Sequence, residues 1–145
     1  MGRTVEKVTV ESFEDILDAA KGRIESSQIR AVEVEALVDT GATYLCLPPS
    51  AIEQLGLPFS HVRRVKTPNG GVERRVFKGA EVTVHGRTEQ MSVMESDEST
   101  PPLVGYLVLE ALDFVVDPKG NKLIPNPAHD GEWMADLYRA ARAGD

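Results

Sequence analysis

The residues best suited to chemistry are an aspartate and the three small residues after it, Asp39-Thr40-Gly41-Ala42. Apolar runs flank this segment, with Ala36-Leu37-Val38 before it and Leu45-Cys46-Leu47 after it. A carboxylate among apolar residues is costly to bury unless hydrogen bonds hold its oxygens or it shares a proton. Thr40 offers a hydroxyl, and Gly41 allows backbone N–H groups to approach the carboxylate. We therefore expect a buried turn that holds an ionisable group in place.

Other candidate groups have ordinary explanations. Asp39 itself could be a simple turn former or helix cap, as aspartates at strand ends often are. The single cysteine, Cys46, cannot form an internal disulfide and is expected to be a small core residue rather than a nucleophile. The histidines His61, His85 and His129 lack the spacing of metal ligands, and a turn with a helix cap accounts for His129-Asp130. We expect no metal and no cofactor.

Composition narrows the class of protein. The chain has 145 residues, of which 41% are hydrophobic and 27% charged, which fits one soluble domain. Its net charge of −7 argues against nucleic acid and anionic membranes as partners, because both attract basic surfaces. No apolar run approaches the roughly 18 residues of a membrane span, and the first residues show no apolar signal core. A cytoplasmic protein is expected.

The elements that would position Asp39 are mostly strands. Alternating or continuous apolar patterns and turn residues predict strands at Val5–Val10, Ile29–Val38 and Thr43–Leu47, hairpins at Val62–Phe77 and Ala80–Met94, and a last strand pair turning at Pro118–Asn121. Short helices are predicted from Ser12 to Gly22, from a capping box at Ser50 to Gly56, over Leu107–Leu112, and in the tail, where Trp133, Met134, Leu137, Tyr138 and Ala141 share a face. This pattern favours a compact, mostly β domain such as a small closed barrel.

The stretch ALVDTGATYLCLP resembles the active-site segment of the retropepsin-like (retroviral-type) aspartic proteases, in which apolar residues precede Asp-Thr-Gly-Ala and an apolar strand follows. Three further segments occur in the order of that family. VKTPNGGVERRVF looks like the flap hairpin, GAEVTVHGRTEQMSVM like the next hairpin, and PLVGYLVLEALDFVVD like the apolar-apolar-Gly segment with its short helix. The resemblance spans roughly residues 32–117 and is closest to small prokaryotic members with a single Asp-Thr-Gly-Ala.

The resemblance implies a fold as well as an activity. The fold would be a mostly β acid-protease half-barrel with short helices and a flap hairpin. We expect a single domain over residues 1–145, with a core at about 29–127, an N-terminal strand and helix at 1–28, and a tail at 128–145 that forms a helix.

The implied activity is that of an aspartic endopeptidase, in which two carboxylates share one proton and activate water. Since the chain contains one Asp-Thr-Gly, Asp39 of two subunits would have to meet in a homodimer that acts on peptides or proteins. Thr40 would bond across to the partner, with Gly41 and Ala42 completing the loop. Pro68-Asn69-Gly70-Gly71 would form the flap tip, and Leu103-Val104-Gly105 the core segment. Candidates for the pocket lining are Val38, Ala42 and Leu103.

The sequence departs from the family at one point. Retroviral members commonly carry an acidic residue after Asp-Thr-Gly-Ala and an arginine after the apolar-apolar-Gly segment, and here these places hold Thr43-Tyr44 and Tyr106. A dimer would have to be held without that ion pair. Three alternatives stay open at this stage: a catalytically inactive module of the same fold for dimerisation or peptide binding, a hydrolase with a non-peptide substrate, and an ordinary exposed hairpin in place of the flap.

Overall fold

The computed structural model describes residues 3–137, and strands account for most of the regular structure in this range. The strands are β1 (Val5–Ser12), β2 (Ala31–Val38), β3 (Leu45–Leu47), β4 (Phe59–Thr67), β5 (Gly70–Val84), β6 (Arg87–Glu95), β7 (Leu103–Val104), β8 (Phe114–Asp117) and β9 (Lys122–Pro125). The helices are α1 (Phe13–Ala20), α2 (Pro49–Leu55) and α3 (Tyr106–Leu112), with single 3₁₀ turns at Ser26–Gln28 and Pro127–His129. The predicted mostly β fold with short helices is confirmed.

Seven strands form one sheet in the order β1-β2-β7-β3-β6-β5-β4, and β8 and β9 form a separate pair. The long strand β5 pairs with three other strands: its first half pairs with β4, and its second half pairs with β6 and with β1. The β1–β5 pairing closes a ring through six strands, with β4 attached outside it. A closed ring leaves few unpaired edges and fixes the strand ends that carry the candidate site.

The core lies inside this ring and under α2 and α3. Alternate residues of the strands point inward, so that Val8 and Val10 of β1 are fully buried while their neighbours are partly exposed. The largest fully buried side chains are Leu45, Leu47, Leu55, Leu112, Val8, Val10, Val76, Val82, Val84, Val93, Val104 and Val108. Each contributes about 1.5–3 kcal/mol by leaving water, and together they hold β3 and β7 in the centre of the molecule.

Helix α1 is fastened to the start of β2. The Ser12 hydroxyl accepts a hydrogen bond from the Asp15 N–H, which confirms the predicted N-cap. The buried Asp15 carboxylate accepts hydrogen bonds from the Arg30 Nε (2.8 Å), Nη2 (3.0 Å) and backbone N–H (2.9 Å). These hydrogen bonds outweigh the cost of burial and lower the pKa of Asp15. The contact fixes the point from which β2 runs towards Asp39.

Both predicted hairpins form, but the first turn is shorter than the predicted Pro68-Asn69-Gly70-Gly71, because Gly70 and Gly71 are already paired residues of β5. β4 and β5 join at Pro68-Asn69, where Thr67 pairs with Gly70 and the Thr67 Oγ1 accepts from the Asn69 N–H. β5 and β6 join at His85-Gly86, and both residues have positive φ (49° and 80°), as a tight turn of matching twist requires. Local turn chemistry therefore sets the register of both hairpins.

Two helix predictions need correction. The capping box at Ser50 is wrong: α2 begins at Pro49 with Pro48 as N-cap, since a proline at the first helical position is already set for a helix. Ser50 instead binds Glu98 through its N–H (2.6 Å) and its hydroxyl (3.0 Å). The end at Gly56 is confirmed, with a left-handed φ of 64°.

The predicted tail helix does not form over residues 133–137. The Trp133 indole N–H donates to the Ala111 carbonyl, and the Met134 N–H donates to the Asp113 carboxylate, so this segment is tied to the end of α3 instead. The rest of that prediction, from Tyr138 to Ala141, lies outside the described residues. Within residues 3–137 no helix combines the length and apolarity needed to cross a membrane.

Candidate active site

Asp39 lies in a loop that begins where β2 ends. Its N–H donates to the Val104 carbonyl (2.9 Å), which joins the loop to β7, the parallel neighbour of β2. The Gly41 N–H donates to Asp39 Oδ1 (2.9 Å), and the Ala42 N–H donates to the Asp39 carbonyl (3.1 Å). The carboxylate is thus held by a tight turn of its own loop, and one of its oxygens has a fixed direction.

The Asp39 turn is exposed in the single chain, so the expectation of a buried turn is wrong for one copy. Asp39, Thr40 and Gly41 are all exposed, because the flanking strands bury side chains only some residues away, at Ala36 and Leu45. Within the part of the chain that the structure describes, the Thr40 hydroxyl makes no hydrogen bond. The loop therefore presents a carboxylate and a hydroxyl outward from the body of the fold.

Gly105 packs directly against the back of this loop. A Cβ atom there would lie 2.3 Å from the Tyr44 carbonyl oxygen and 2.8 Å from the Ala42 carbonyl oxygen. The next two residues continue the contact, since the Tyr106 N–H donates to the Ala42 carbonyl (2.8 Å) and the Leu107 N–H to the Thr43 carbonyl (3.0 Å). Gly105 has an ordinary φ of −91°, which any residue can adopt. Glycine is required here because the two backbone segments lie too close together to admit a side chain.

A cleft of about 730 Å³ runs between the Asp39 loop and the β4–β5 hairpin. Of the predicted site residues, Asp39, Gly41, Ala42, Leu103 and Pro68 line it. The other predicted residues do not line the cleft. Three of them, Asn69, Gly70 and Gly71, are at the exposed tip of the hairpin, and Thr40 faces a neighbouring cavity. Val38 and Val104 lie within β2 and β7, and Gly105 packs behind the loop. The hairpin thus forms one wall of the cleft that has Asp39 at its other side.

Cys46 also lines this cleft and is a protonated thiol. Burial, helped by the negative charge of Asp39, raises its pKa to about 11. A thiol with so high a pKa is a poor nucleophile near neutral pH. Its position next to the buried Leu45 and Leu47 in β3 agrees with the expectation of a small packing residue.

The sequence interpretation missed two arginines of the cleft wall. The Arg63 guanidinium donates to the Tyr44 hydroxyl and lies over the Tyr44 ring, 5.5 Å from its centroid. Arg74 extends towards Asp97, with 3.5 Å between Nη2 and Oδ2. The turn at Pro68-Asn69 places Arg63 and Arg74 at equal distances from the tip and so opposite each other. The predicted four-residue turn Pro68-Asn69-Gly70-Gly71 would instead set Arg63 opposite Val76, so the sequence interpretation gave no signal for this pair.

A second cavity of about 820 Å³ adjoins the other side of the loop and is lined by Thr40, α3 and the tail. In its wall the buried Asp113 carboxylate binds His129 Nδ1 (2.6 Å), the Asn126 amide (3.1 Å) and the Met134 N–H (3.1 Å). Burial acts to raise the pKa of Asp113, but these hydrogen bonds prevail and lower it. The bond to Asp113 raises the pKa of His129. The pair anchors the tail beside Thr40.

Among residues 3–137 no group of three His, Cys, Asp or Glu side chains is arranged to hold a metal ion. Comparison with known families gives one result: a family model described as "Aspartyl protease" matches residues 20–108, which is more than half of the chain. The matched region contains the Asp39 loop, the β4–β5 hairpin and the Leu103-Val104-Gly105 segment. No curated protein matches the chain.

Proposed function

Because this chain belongs to the aspartyl protease family, we propose that it is an aspartic endopeptidase whose active site forms when two copies bring their Asp39 side chains together. The observation that supports this is the Asp39 loop: its carboxylate is exposed, oriented by the Gly41 N–H, and set at a cleft of about 730 Å³. One chain supplies one such carboxylate, and the reaction needs two.

The chemistry divides between the two carboxyl groups. The ionised Asp39 takes a proton from a water molecule, whose oxygen attacks the peptide carbonyl carbon. The protonated Asp39 of the second copy donates its proton to the carbonyl oxygen, which gives a neutral tetrahedral diol. In the collapse of the diol, the Asp39 that took the proton from water donates it to the leaving amine nitrogen as the C–N bond breaks. The ionised Asp39 of the second copy accepts the proton of one diol hydroxyl as the carbonyl re-forms, which restores a pair with one proton. Two carboxylates this close cannot both ionise easily, so activity should be highest from acidic to neutral pH.

The exposed surface around the loop fits association of two copies. The Thr40 side chain is exposed and its hydroxyl makes no hydrogen bond within residues 3–137, so it can bond to the loop of the second copy. Tyr106 and Leu107, on the first turn of α3, are 43% and 42% exposed and lie directly behind the loop. We expect these groups to replace the ion pair that retroviral members use at this place. The β4–β5 hairpin would cover the peptide as a flap.

The experiment compares wild type with Asp39→Asn on a mixed peptide library from acidic to neutral pH. We expect cleavage by wild type and loss of at least about a thousandfold in kcat for Asp39→Asn, since that variant lacks the general base. Asp18→Asn, which makes the same chemical change at a partly exposed position of α1 outside the cleft, is the matched control and should keep full activity. Cleavage that survives Asp39→Asn would refute the assignment, and cleavage by neither protein would favour an inactive peptide-binding module.

Sedimentation equilibrium tests the requirement for two copies. We expect an active species with twice the chain mass of 15.8 kDa, and specific activity that falls on dilution as dimers dissociate. A protein that is monomeric at all concentrations and still cleaves peptides would show that Asp39 works without a second copy.

A further inference from the structure

The cleft beside Asp39 has the opposite charge balance to the protein as a whole. The chain carries a net charge of −7, yet four cationic side chains line this cleft against three carboxylates. The cationic residues are Arg63, Arg64, Lys66 and Arg74, and the acidic ones are Asp39, Glu95 and Asp97. All four cations belong to the β4–β5 hairpin, the wall that would lie over a bound peptide.

Arg63 and Arg74 form a cross-strand pair on this wall. They are directly opposite each other in the β4–β5 register, so their side chains share one face of the hairpin. The contacts of Arg63 with Tyr44 and of Arg74 with Asp97 show that this shared face is turned towards the cleft. Like charges opposite each other destabilise a hairpin, so the stability of the β4–β5 pairing does not explain two arginines at this position.

The carboxylates available to these arginines are few. Glu95 is already held by Arg75 through two hydrogen bonds of 2.9 and 2.7 Å. Arg63 makes no ion pair within residues 3–137, and its bond to Tyr44 is to a neutral hydroxyl. Among the described residues the one carboxylate that Arg74 reaches is that of Asp97, at 3.5 Å, in a pair whose side chains are 35% and 64% exposed. Such a long, exposed ion pair is weak and can be exchanged for another carboxylate.

Asp97 shows where that other carboxylate would bind. It comes from the acidic loop after β6 and places a carboxylate at Arg74 from the open side of the cleft. An extended peptide presents alternate side chains on one face, so an acidic side chain of the peptide could take the place of Asp97 and contact both guanidinium groups. Arg64 and Lys66, which also line the cleft, add to the field that attracts it.

We propose that Arg63 and Arg74 make this cleft selective for peptides with acidic side chains. The acidic residue, aspartate or glutamate, would be next to the peptide residues that bind at Asp39. The inference rests on the proposed function for the position of the peptide and adds the substrate class. In a symmetric dimer each copy supplies one arginine pair, so an acidic residue is favoured on both sides of the scissile bond. Asp97 competes with the substrate for Arg74 and thereby limits affinity.

The test measures binding, so that it does not depend on turnover. Fluorescein-labelled peptides with a common apolar centre and flanking Glu, Gln or Lys residues are titrated against the Asp39→Asn protein, and Kd is obtained from fluorescence polarisation at low and at physiological ionic strength. We expect the Glu peptide to bind about tenfold more tightly than the Gln peptide at low ionic strength, and the Lys peptide to bind most weakly. Added salt should reduce the difference.

Variants then locate the origin of the preference. In the Asp39→Asn background, the double replacement of Arg63→Gln and Arg74→Gln should abolish the preference for the Glu peptide over the Gln peptide. The double replacement of Arg63→Lys and Arg74→Lys should retain part of that preference. Asp97→Asn should tighten binding of the Glu peptide several-fold, a gain that misfolding cannot produce. Lys78→Gln is the matched control, because it removes one positive charge from an exposed position of β5 outside the cleft and should change nothing.

The outcomes separate this inference from the proposed function. Equal affinity for Glu and Gln peptides, no measurable binding of any peptide, or a preference that persists after both arginines are replaced would overturn the inference, even if wild type cleaves peptides. A preference that depends on Arg63 and Arg74, found together with a wild type that cleaves nothing, would uphold the inference and refute the endopeptidase proposal. Cleavage products of the library supply the second readout, with acidic residues enriched around the cut in wild type.

Discussion

Replacing Gly105 by alanine tests how the Asp39 loop is supported. The added Cβ would lie 2.3 Å from the Tyr44 carbonyl oxygen, 2.7 Å from the Thr43 carbonyl carbon and 2.8 Å from the Ala42 carbonyl oxygen. All three atoms are backbone, so no side chain can rotate to make room. Either the loop or the start of α3 must move, and the hydrogen bonds of Ala42 and Thr43 to the first turn of α3 are stretched.

The expected loss of stability follows from three contributions. Forcing an extra methyl group into a packed site costs about 1–3 kcal/mol. Weakening two buried backbone hydrogen bonds costs about 1–2 kcal/mol. Alanine also restricts the unfolded chain, which returns about 0.5–1 kcal/mol. The net loss is about 1–4.5 kcal/mol, a large share of the ~5–15 kcal/mol that holds a domain folded, and it lowers Tm by about 3–14 °C at roughly 3 °C per kcal/mol.

Urea and thermal unfolding of Gly105→Ala, followed by circular dichroism, measure this loss. The matched control is Gly120→Ala in the β8–β9 turn, where a Cβ would lie 3.1 Å from Asp117 Oδ2 and 3.1 Å from Lys122 Cε, the movable ends of side chains. It should remain within about 1 kcal/mol of wild type. If Gly105→Ala costs no more than Gly120→Ala, the loop does not depend on close backbone contact, and the reasoning from distances is wrong.

Three further predictions concern the loop and the tail beside it. Gly41→Ala places a Cβ 3.3 Å from Asp39 Oδ1 and should turn the carboxylate without unfolding the loop. We expect kcat to fall about tenfold with little change in KM or Tm. An unchanged kcat in steady-state kinetics would contradict this. Thr40→Ala should raise the dimer dissociation constant in sedimentation equilibrium, and an unaltered constant would exclude a role for its hydroxyl between copies. The raised pKa of His129 means that its stabilising effect is complete below the unfolded pKa of about 6.5 and is lost as pH rises through the folded value. His129→Gln should therefore destabilise the protein more at pH near 5.5 than at pH near 9 in urea unfolding, since the lowered pKa of Asp113 keeps that carboxylate ionised at both; equal losses would refute the pairing.

Features fixed by neighbouring residues could be predicted from the sequence. Pro68-Asn69 and His85-Gly86 specify their turns through backbone preferences, and each turn sets the register of the strands beside it. The Ser12 cap and the left-handed Gly56 act over one helical turn. The Asp39 loop, being a short motif within a consistent order of segments, could be predicted as well.

Features that depend on distant segments could not be predicted in the same way. Pairing of β1 with β5 joins residues about seventy positions apart, and an alternating pattern shows which face of a strand is buried without showing which strand lies beside it. The prediction of a helix in the tail failed for a similar reason. Its apolar spacing suits a helix, but the carboxylate of Asp113 and the carbonyl of Ala111 bind Met134 and Trp133, and neither contact has any signal in the local sequence.

The exposure of Asp39 differs from what the local sequence pattern predicts. Apolar residues precede and follow the loop, and such a pattern indicates that the region is buried in the protein as it works. In one copy Asp39 is exposed, and Leu107 behind the loop is 42% exposed. The second copy that we propose across the loop would bury it and remove the disagreement. It would also take the carboxylate out of bulk water, which is the condition under which two aspartates share one proton.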